Sequence, residues 1–272
     1  MTVTDVNVVK SAIFERPDDA NKGILGSLLC VCGSYGMAGA AVMSAKGALR
    51  TGIGLAKCAL PRSIYPIVAQ TILESVYYPL SENADGKISK VNVPFLVSES
   101  CKSSATLVGC GLGVCDDTLK IVFSLIENST TPLVLDADAL NCVAKQPEIL
   151  LKKKVPIIIT PHPGEMSRLT GTPVEELKAD RIQILKDFIS RYRITCVLKD
   201  SRTLIASEEK GIRMNLTGNS AMAKAGSGDV LAGVISGWMV QGKEAEDAAE
   251  LGTYIHGLSA DLAKFEKGVY SV

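Results

Sequence analysis

The sequence predicts an α/β fold in which helices cover both faces of a central, mostly parallel sheet. Short apolar runs, such as residues 105–109 and 133–136, alternate with longer segments of helical spacing, and this alternation is typical of parallel sheets. At 272 residues, with 47% of them hydrophobic, the chain is long enough to bury a large core. Since no internal repeat interrupts the pattern, we expect residues 1–272 to form a single domain.

The composition argues against several classes of function. The chain has 29 basic and 29 acidic residues, spread along its length, so no basic nucleic-acid surface is indicated. No N-terminal run resembles a signal peptide, and no apolar segment approaches the length of a membrane span. The eight cysteines lack Cys-x-x-Cys spacing and lie mostly in apolar runs, which favours buried reduced thiols over zinc or disulfides. We therefore expect a cytoplasmic protein that binds neither nucleic acid nor membranes.

The predicted strands and helices follow one another with few interruptions. Predicted strands cover residues 26–33, 55–60, 105–109, 133–136, 156–160, 195–199, 203–207 and 212–215. Predicted helices cover residues 39–50, a segment from 116, residues 172–192, and segments from 227 and from about 244. Residues 1–22 are polar and predict a peripheral helix or arm. The polar residues 79–93 predict an excursion and not a domain boundary.

Three of these helices have distinctive sequence features. The Ala-rich helix around Gly47 has small side chains, which permit close packing against a flat neighbour. The helix that starts at Asp116 places its apolar residues on one face. The segment from Thr172 to Glu175 has the pattern of a capping box, with proline at the first helical position.

Residues 225–229 (Ala-Gly-Ser-Gly-Asp) lie where an apolar helix begins. The first N–H groups of a helix lack intrahelical partners and lie at its positive end, and Gly226 and Gly228 let an anion approach them closely. A carboxylate beside a bound phosphate is repelled by it, so the presence of Asp229 at this position calls for a chemical explanation. It could take a proton from a hydroxyl that attacks a phosphoryl group. The alternative is that Ser227 or Asp229 only caps the helix.

Two further polar motifs follow predicted strands, where open α/β sheets bind ligands. Residues 109–113 (Gly-Cys-Gly-Leu-Gly) match a dinucleotide fingerprint only weakly, but they fit a turn that brings the backbone close to a ligand. Residues 136–141 place two carboxylates and an amide after a strand. Asp136, Asp138 and Asn141 could cap a helix at Ala139, or they could form a water or magnesium shell.

The two histidines receive different interpretations. His162 lies between two prolines that hold it rigidly beyond a strand end, so a structural role and a ligand contact are both open. His256, on the last helix, is interpreted as packing. Residues 199–203 join two strands and could line a nucleotide phosphate or form a solvated hairpin, and by itself the pattern favours the hairpin. A Walker A loop and a Gly-x-Ser-x-Gly hydrolase motif are absent.

Taken together, these motifs resemble the ADP/ATP-dependent NAD(P)H-hydrate dehydratases of the ribokinase-like superfamily. The resemblance covers residues 26–270. It rests on residues 39–41, 48–55, 109–113, 136–141, 160–165 (Thr-Pro-His-Pro-Gly-Glu), 215–219 and 226–229 (Gly-Ser-Gly-Asp). The last motif alone is typical of the wider superfamily, whereas residues 160–165 followed by residues 215–229 are specific to the dehydratases.

The resemblance implies a ribokinase-like fold and the repair of a damaged cofactor. Water adds to the nicotinamide ring of NADH or NADPH and leaves a hydroxyl on C6, giving the hydrates NADHX and NADPHX. The resemblance implies phosphorylation of this hydroxyl with ADP as co-substrate, followed by elimination of phosphate, which leaves AMP and restores NAD(P)H. It also implies Mg²⁺ as cofactor, and we expect a homo-oligomer.

The family match assigns site residues by position. For the hydrate these are Ala40, Gly111 or Gly113, His162 and Asp229, with Asp229 as the catalytic base. For the nucleotide they are Lys199, Asp200, Ser201, Arg202, Thr203, Gly226, Ser227 and Gly228. The amides of residues 226–228 would form the anion hole, and the small helix start at residues 39–41 would face the hydrate.

The chain departs from the family pattern in three places. Asp200 follows Lys199 where relatives have glycine, which adds negative charge near the nucleotide, and Ser227 replaces the commoner threonine. Relatives usually continue past residue 272 into a further helix, and whether a terminal element is missing here is left open. One alternative function is a sugar or vitamin-precursor kinase on the same fold. Another is a nucleotide-binding regulator without turnover, although Asp229 argues against it.

Overall fold

Ten strands form one sheet in the part of the chain that the computed structural model describes, residues 1–12 and 21–268. They are β1 (Thr2–Val3), β2 (Ser27–Val31), β3 (Leu55–Pro61), β4 (Val76–Leu80), β5 (Ala105–Val108), β6 (Leu133–Leu135), β7 (Ile157–Ile159), β8 (Thr195–Leu198), β9 (Leu204–Ser207) and β10 (Gly211–Met214). Their spatial order is β1-β10-β9-β8-β7-β6-β5-β2-β3-β4. Strand β9 is antiparallel to β8 and β10, and the other neighbouring pairs are parallel.

Eleven α-helices connect or follow these strands within the described residues. They are α1 (Asn7–Ala12), α2 (Ala38–Thr51), α3 (Tyr65–Ala69), α4 (Val93–Cys101), α5 (Asp116–Asn128), α6 (Asp138–Val143), α7 (Pro163–Thr170), α8 (Val174–Ala179), α9 (Arg181–Tyr192), α10 (Ser227–Val240) and α11 (Ala245–Lys267). Short 3-10 turns lie at Lys90–Asn92, Pro147–Lys152 and Ser220–Met222. No helix of the described residues is both long enough and apolar enough to cross a bilayer.

The sheet has a hydrophobic core on each face, because successive residues of a strand point to opposite sides. In β2, Leu29 and Val31 join a core formed with α5 and α9, whereas Leu28 and Cys30 join a core formed with α2 and α10. The predicted α/β fold, with a mostly parallel sheet covered on both faces, is confirmed. All eight cysteines are free thiols. The single domain over residues 1–272 extends beyond the described residues and stays a prediction.

Helices α2 and α10 pack against each other through glycines. A Cβ atom at Gly233 would lie 2.1 Å from the carbonyl oxygen of Ser44, and one at Gly47 would lie 2.6 Å from the carbonyl oxygen of Val230. The small residues predicted to pack against a flat neighbour therefore pack against α10. This contact holds the start of α10, and with it residues 226–229, at a defined position above the sheet.

Several predicted elements were wrong in detail. The helix predicted over residues 172–192 is two helices, α8 and α9, with a break at Asp180. Its predicted capping box is absent, because α8 begins after Pro173 and no side chain caps it. Of the excursion at residues 79–93, the first two residues belong to β4 and Val93 begins α4. In the N-terminal arm, β1 and α1 are formed, and residues 13–20 lie outside the described ranges.

The order of the strands reverses between β2 and β5. From β2 the chain moves outward to β3 and β4, and from β5 it moves in the other direction to β6, β7 and β8. Ligands bind at such switch points, at the carboxyl ends of the strands. The polar motifs at residues 109–113, 136–141, 160–165 and 199–203 follow β5, β6, β7 and β8 in that spatial order. The fold therefore brings them to one edge of the sheet.

Candidate active site

The first turn of α10 is open to a ligand. Gly226 is its N-cap residue, with φ of 93°, and no side chain caps the helix. The hydroxyl of Ser227 donates instead to the carbonyl oxygen of Met222 at 2.7 Å. Neither Ser227 nor Asp229 acts as a cap, so the structural alternative considered for these residues does not apply.

Asp229 occupies the third position of α10 and is partly buried. Burial, followed by the charge of Asp136, raises the pKa of Asp229 from 3.8 to about 6, and the nearby thiol of Cys110 opposes the shift. Ligand atoms of Cys110, Asp136 and Asp229 all lie within 4.8 Å of one another. A carboxylate with a pKa near neutrality is suited to accept a proton from a substrate hydroxyl.

Asp136 is a buried carboxylate that is held by three donors, one of which is the Cys110 thiol, at 3.7 Å from Oδ2. Its Oδ1 accepts hydrogen bonds from the Thr160 hydroxyl and from Lys199 Nζ, both at 2.7 Å. Lys199 Nζ also lies 3.8 Å from Glu165 Oε2. Burial alone would lower the pKa of Lys199, but the Asp136 and Glu165 carboxylates outweigh it and raise that pKa. Lys199 is therefore a fixed cation at the edge of the site.

A strained backbone residue separates Asp136 from the next carboxylate. Ala137 has φ of 49° and ψ of −114°, a conformation that costs a non-glycine residue on the order of 1 to 3 kcal/mol. The helix was predicted to start at Ala139, whereas α6 begins one residue earlier, at Asp138. The turn keeps the Asp136 side chain buried, whereas the Asp138 carboxylate accepts a hydrogen bond from the Gly113 amide at 2.8 Å.

His162 is rigid for a reason beyond its flanking prolines. It is the N-cap residue of α7, and its Nδ1 accepts a hydrogen bond from the Gly164 amide at 3.0 Å. Its own amide donates to Glu165 Oε2 at 2.8 Å, and its Nε2 lies 3.3 Å from Glu165 Oε1. The side chain is still half exposed at 50%, so it can both cap the helix and contact a ligand.

The loop at residues 109–113 lies over the start of α2. Gly111 has φ of 63°, and a Cβ atom there would come within 2.7 Å of the Ala40 Cβ. The Ser34 hydroxyl donates to the Gly111 carbonyl at 2.8 Å. Ala40 is only 4% exposed, so its side chain supports the loop from below. Its contact with the hydrate stays a prediction, as do those of Gly111 and Gly113.

A cavity of about 520 Å³ opens beside the start of α10, a size typical of small-molecule sites. Six of the eight residues predicted to bind the nucleotide line it, namely Lys199, Asp200, Ser201, Thr203, Ser227 and Gly228. Arg202 does not, and Gly226 lines a neighbouring groove of about 330 Å³ instead. The residues assigned to the hydrate are not among those that line this cavity.

Sequence reasoning missed residues of the cavity wall that come from α11. Thr253, His256 and Gly257 line the cavity at helical spacing, although His256 was interpreted as packing. Gly257 gives a reason for this placement, because a Cβ atom there would lie 2.3 Å from the Thr217 hydroxyl oxygen. The sequence signal that could have indicated this wall is the pair of polar residues Thr253 and His256, on a helix whose other buried residues are mostly small and apolar.

Magnesium is bound by oxygen ligands, usually one or two carboxylates with water and substrate phosphates. Asp136 and Asp229 present two carboxylates close together, which suits an ion bound to a nucleotide. Asn141 is directed elsewhere, since its Oδ1 accepts from Arg168 Nε at 2.8 Å and its Nδ2 donates to Asp138 Oδ1 at 3.3 Å. The residues present therefore fit magnesium at Asp136, with the Asp229 carboxylate beside it. The shell of Asp136 with Asn141 stays a prediction.

Comparison with known proteins identifies the family. A family model described as NAD(P)H-hydrate dehydratase matches residues 28–272. The chain belongs to the NAD(P)H-hydrate dehydratase family. This confirms the resemblance that the motifs predicted. The ADP-dependent (S)-NAD(P)H-hydrate dehydratase of Neisseria meningitidis is 34% identical, over 93% of this chain and 82% of that protein.

Longer relatives and a solved structure extend the comparison. The bifunctional NAD(P)H-hydrate repair enzyme of Thermofilum pendens is 38% identical over 93% of this chain, and the chain spans about half the length of such bifunctional relatives. A crystal structure of the ADP/ATP-dependent NAD(P)H-hydrate dehydratase of Bacillus subtilis, co-crystallised with ATP and Mg²⁺, has a TM-score of 0.84 and 29% identity. It covers all of this chain and 92% of that one, and the ribokinase-like fold is confirmed.

Proposed function

We propose that this protein dehydrates the 6-hydroxy hydrate of NADH or NADPH back to NAD(P)H, with ADP as phosphoryl donor and AMP and phosphate as products. The observation that carries the proposal is the position of Asp229. Its carboxylate, with a pKa raised to about 6, lies in the uncapped first turn of a helix that borders a nucleotide-sized cavity. The name of the Neisseria meningitidis relative supports ADP as the donor.

The first step is phosphoryl transfer. The C6 hydroxyl of the hydrate attacks the terminal phosphorus of ADP, and Asp229 takes the hydroxyl proton as the new P–O bond forms. The bond between that phosphorus and the bridging oxygen breaks, and AMP leaves with the electron pair. Lys199 and the amides of residues 226–228 stabilise the negative charge on the transferring group. Little covalent help is needed, so positioning dominates this step.

The second step is elimination. The C6–O bond breaks and phosphate leaves with the electron pair. The departing phosphate takes a proton from C5, and the electron pair of that C–H bond forms the C5=C6 double bond of the dihydronicotinamide. His162, fixed by its contacts with Gly164 and Glu165, would orient the hydrate. The small residues Ala40 and Gly111 let the loop at residues 109–113 lie against α2, and this loop would face the nicotinamide ring.

Magnesium would be held by the carboxylate of Asp136 together with water and the nucleotide phosphates, which leaves Asp229 beside it to accept the proton. When bound, it supplies positive charge at the phosphates. Asp136 is also positioned by Thr160 and Lys199, so it can serve as a ligand without leaving its place. We also propose that the protein is a homo-oligomer in the cytoplasm, which light scattering and cell fractionation would test.

An assay with acid-generated hydrate tests the proposal. The purified protein is given the hydrate with ADP or with ATP, and the near-ultraviolet absorbance of reduced nicotinamide and the release of AMP are followed. We expect absorbance to return with ADP, with one AMP formed for each NAD(P)H. Accumulation of a phosphorylated product without recovered absorbance would instead support a small-molecule kinase, and turnover with ATP alone would overturn the choice of donor.

A further inference from the structure

We propose that His256 recognises the base of the bound nucleotide and sets its preference for adenine. The inference rests on the proposed function, because it takes a nucleotide as the occupant of the cavity of about 520 Å³. The residue has no role in the family match, and its neighbours in the cavity decide what it can contact.

The groups that suit phosphate are contributed by Lys199, after β8, and by the first turn of α10. A Cβ atom placed on Gly228 would lie 3.4 Å from Lys199 Nζ, so the lysine cation and the open first turn of α10 are adjacent. The same cavity is also lined by Thr253, His256 and Gly257 of α11, which carry no cation. A nucleotide with its phosphates at Lys199 and Gly228 would place its base among the uncharged residues of the cavity, and α11 supplies three of these.

The imidazole of His256 is available for a ligand. No described residue forms a hydrogen bond or ion pair with its ring nitrogens, although the side chain is partly buried. Burial lowers the pKa of His256 to about 4, so the ring is uncharged at neutral pH. An uncharged imidazole adds no cation for phosphate, but it offers one N–H donor and one acceptor. That pair of groups matches the amino group and ring nitrogens of adenine.

The surroundings of His256 suit a flat ring. Leu231 and Met222 line the same cavity, and the Met222 sulfur packs against Gly218, where a Cβ atom would lie 2.9 Å away. Thioether and aliphatic side chains adapt to an aromatic face. His256 and Met222 also line the groove of about 330 Å³ behind the cavity, so they form part of the wall between the two.

Binding measurements with ligands that carry a nucleobase and with one that lacks it test the inference. Calorimetry would compare ADP, GDP and inorganic tripolyphosphate on the wild type, His256→Ala and His256→Phe. Ser259→Ala is the matched control, because Ser259 lies less than one turn further along α11 and lines only the groove. We expect both His256 variants to weaken ADP about 10- to 100-fold and to narrow the preference for ADP over GDP. Tripolyphosphate affinity should change less than about twofold, as should ADP affinity in the control.

Other results of these measurements would contradict the role proposed for His256 or separate it from the proposed dehydratase activity. Equal losses for ADP and tripolyphosphate would overturn the inference, because His256 would then act on the phosphates or on the fold. Unchanged ADP affinity with a lower melting temperature would also overturn it and restore the packing interpretation. Retained affinity in His256→Phe alone would reject hydrogen-bonded recognition. ADP binding that depends on His256 without any hydrate turnover would support this inference and reject the proposed dehydratase.

Discussion

The carboxylates of Asp136 and Asp229 present ligand atoms within 4.8 Å of each other, but Lys199 forms an ion pair with Asp136 and not with Asp229. Among the described residues, no cation lies within ion-pair distance of Asp229. Asp136 is the partner of Lys199, and the negative charge of Asp136 helps to raise the pKa of Asp229, which has no such partner. Two acids with different environments can thus divide the roles of structural anchor and base.

The rate should depend on pH through Asp229. The base must be deprotonated, so kcat/KM for the hydrate should be constant above about pH 6 and fall about tenfold per unit below it. Asp136→Asn removes the neighbouring charge and should move this acid limb to lower pH. Steady-state rates across pH for both proteins provide the measurement. A limb that stays in place in Asp136→Asn would contradict the assigned cause of the shift.

Breaking the ion pair of Lys199 should destabilise the fold. Lys199→Met leaves the Asp136 carboxylate buried without its cation, which costs about 3 to 5 kcal/mol in comparable sites. Asp136→Asn combined with Lys199→Met removes the orphaned charge and should recover part of the loss. Denaturant unfolding of the three variants measures this. Equal stability of Lys199→Met and the wild type would show that the pair does not matter.

His162 should act on the binding of the hydrate more than on its turnover. His162→Ala should raise KM for the hydrate more than it lowers kcat, because the residue orients and does not transfer a proton. It should also cost about 0.5 to 2 kcal/mol of stability, since the cap on α7 is lost. Kinetics and melting temperature measure the two effects separately.

Asparagine at position 162 separates these two roles. His162→Asn can still cap α7, so it should recover stability while the raised KM remains. An equal collapse of kcat and of kcat/KM in His162→Ala would indicate a role in the transition state instead.

The glycine contact between α2 and α10 should be required for activity. Gly233→Ala places a methyl group 2.1 Å from the Ser44 carbonyl oxygen, so α10 must shift, at a cost of about 1 to 3 kcal/mol and with lower turnover. Gly39→Ala is the control, because its nearest neighbour is the flexible end of Met43 at 3.9 Å. It should be neutral or stabilising by up to about 1 kcal/mol. Similar melting temperatures for both variants would refute this account of the packing.

The fold could be predicted where buried elements appear in the sequence as runs of apolar residues. Strands such as β5 and β7 are runs of buried residues, and they were recognised as such. Strand β4 was missed because Pro79 argues against a strand, but β4 lies at the edge of the sheet, where proline is tolerated. The break at Asp180 was missed because it leaves the apolar spacing almost unchanged. Such details depend on tertiary position, which periodicity does not contain.

The candidate site was predictable in its segments and not in its contacts. The carboxyl ends of parallel strands meet at one edge, so motifs that follow strands could be brought together in advance. The pairing of Lys199 with Asp136 joins residues 63 positions apart, and no local pattern indicates it. His256 lies on a helix far along the chain from the strand ends. Its position in the cavity wall becomes evident only from the structure, in which the neighbouring Gly257 packs against Thr217.

Asp229→Asn should make the protein more stable near neutral pH. Because the pKa of Asp229 rises from 3.8 to about 6 on folding, the folded state binds the proton more tightly, and stability falls as the pH rises through this range. Asparagine removes the disfavoured charge, so the gain at pH 7 should be on the order of 1 to 2 kcal/mol, because solvent screens part of the effect at this partly exposed group. It should be lost below about pH 4, where both forms are neutral. Thermal melts at the two pH values measure it, and a lower melting temperature at pH 7 would contradict it.

Turnover of acid-generated hydrate by Asp229→Asn, at saturating ADP, tests the central claim most directly. If Asp229 is the base, kcat should fall about 100- to 10,000-fold, while ADP affinity holds or tightens slightly because one negative charge has gone from near the phosphates. Near-normal turnover in this variant would contradict the account, and the base would then have to be sought at Asp136 or Asp138.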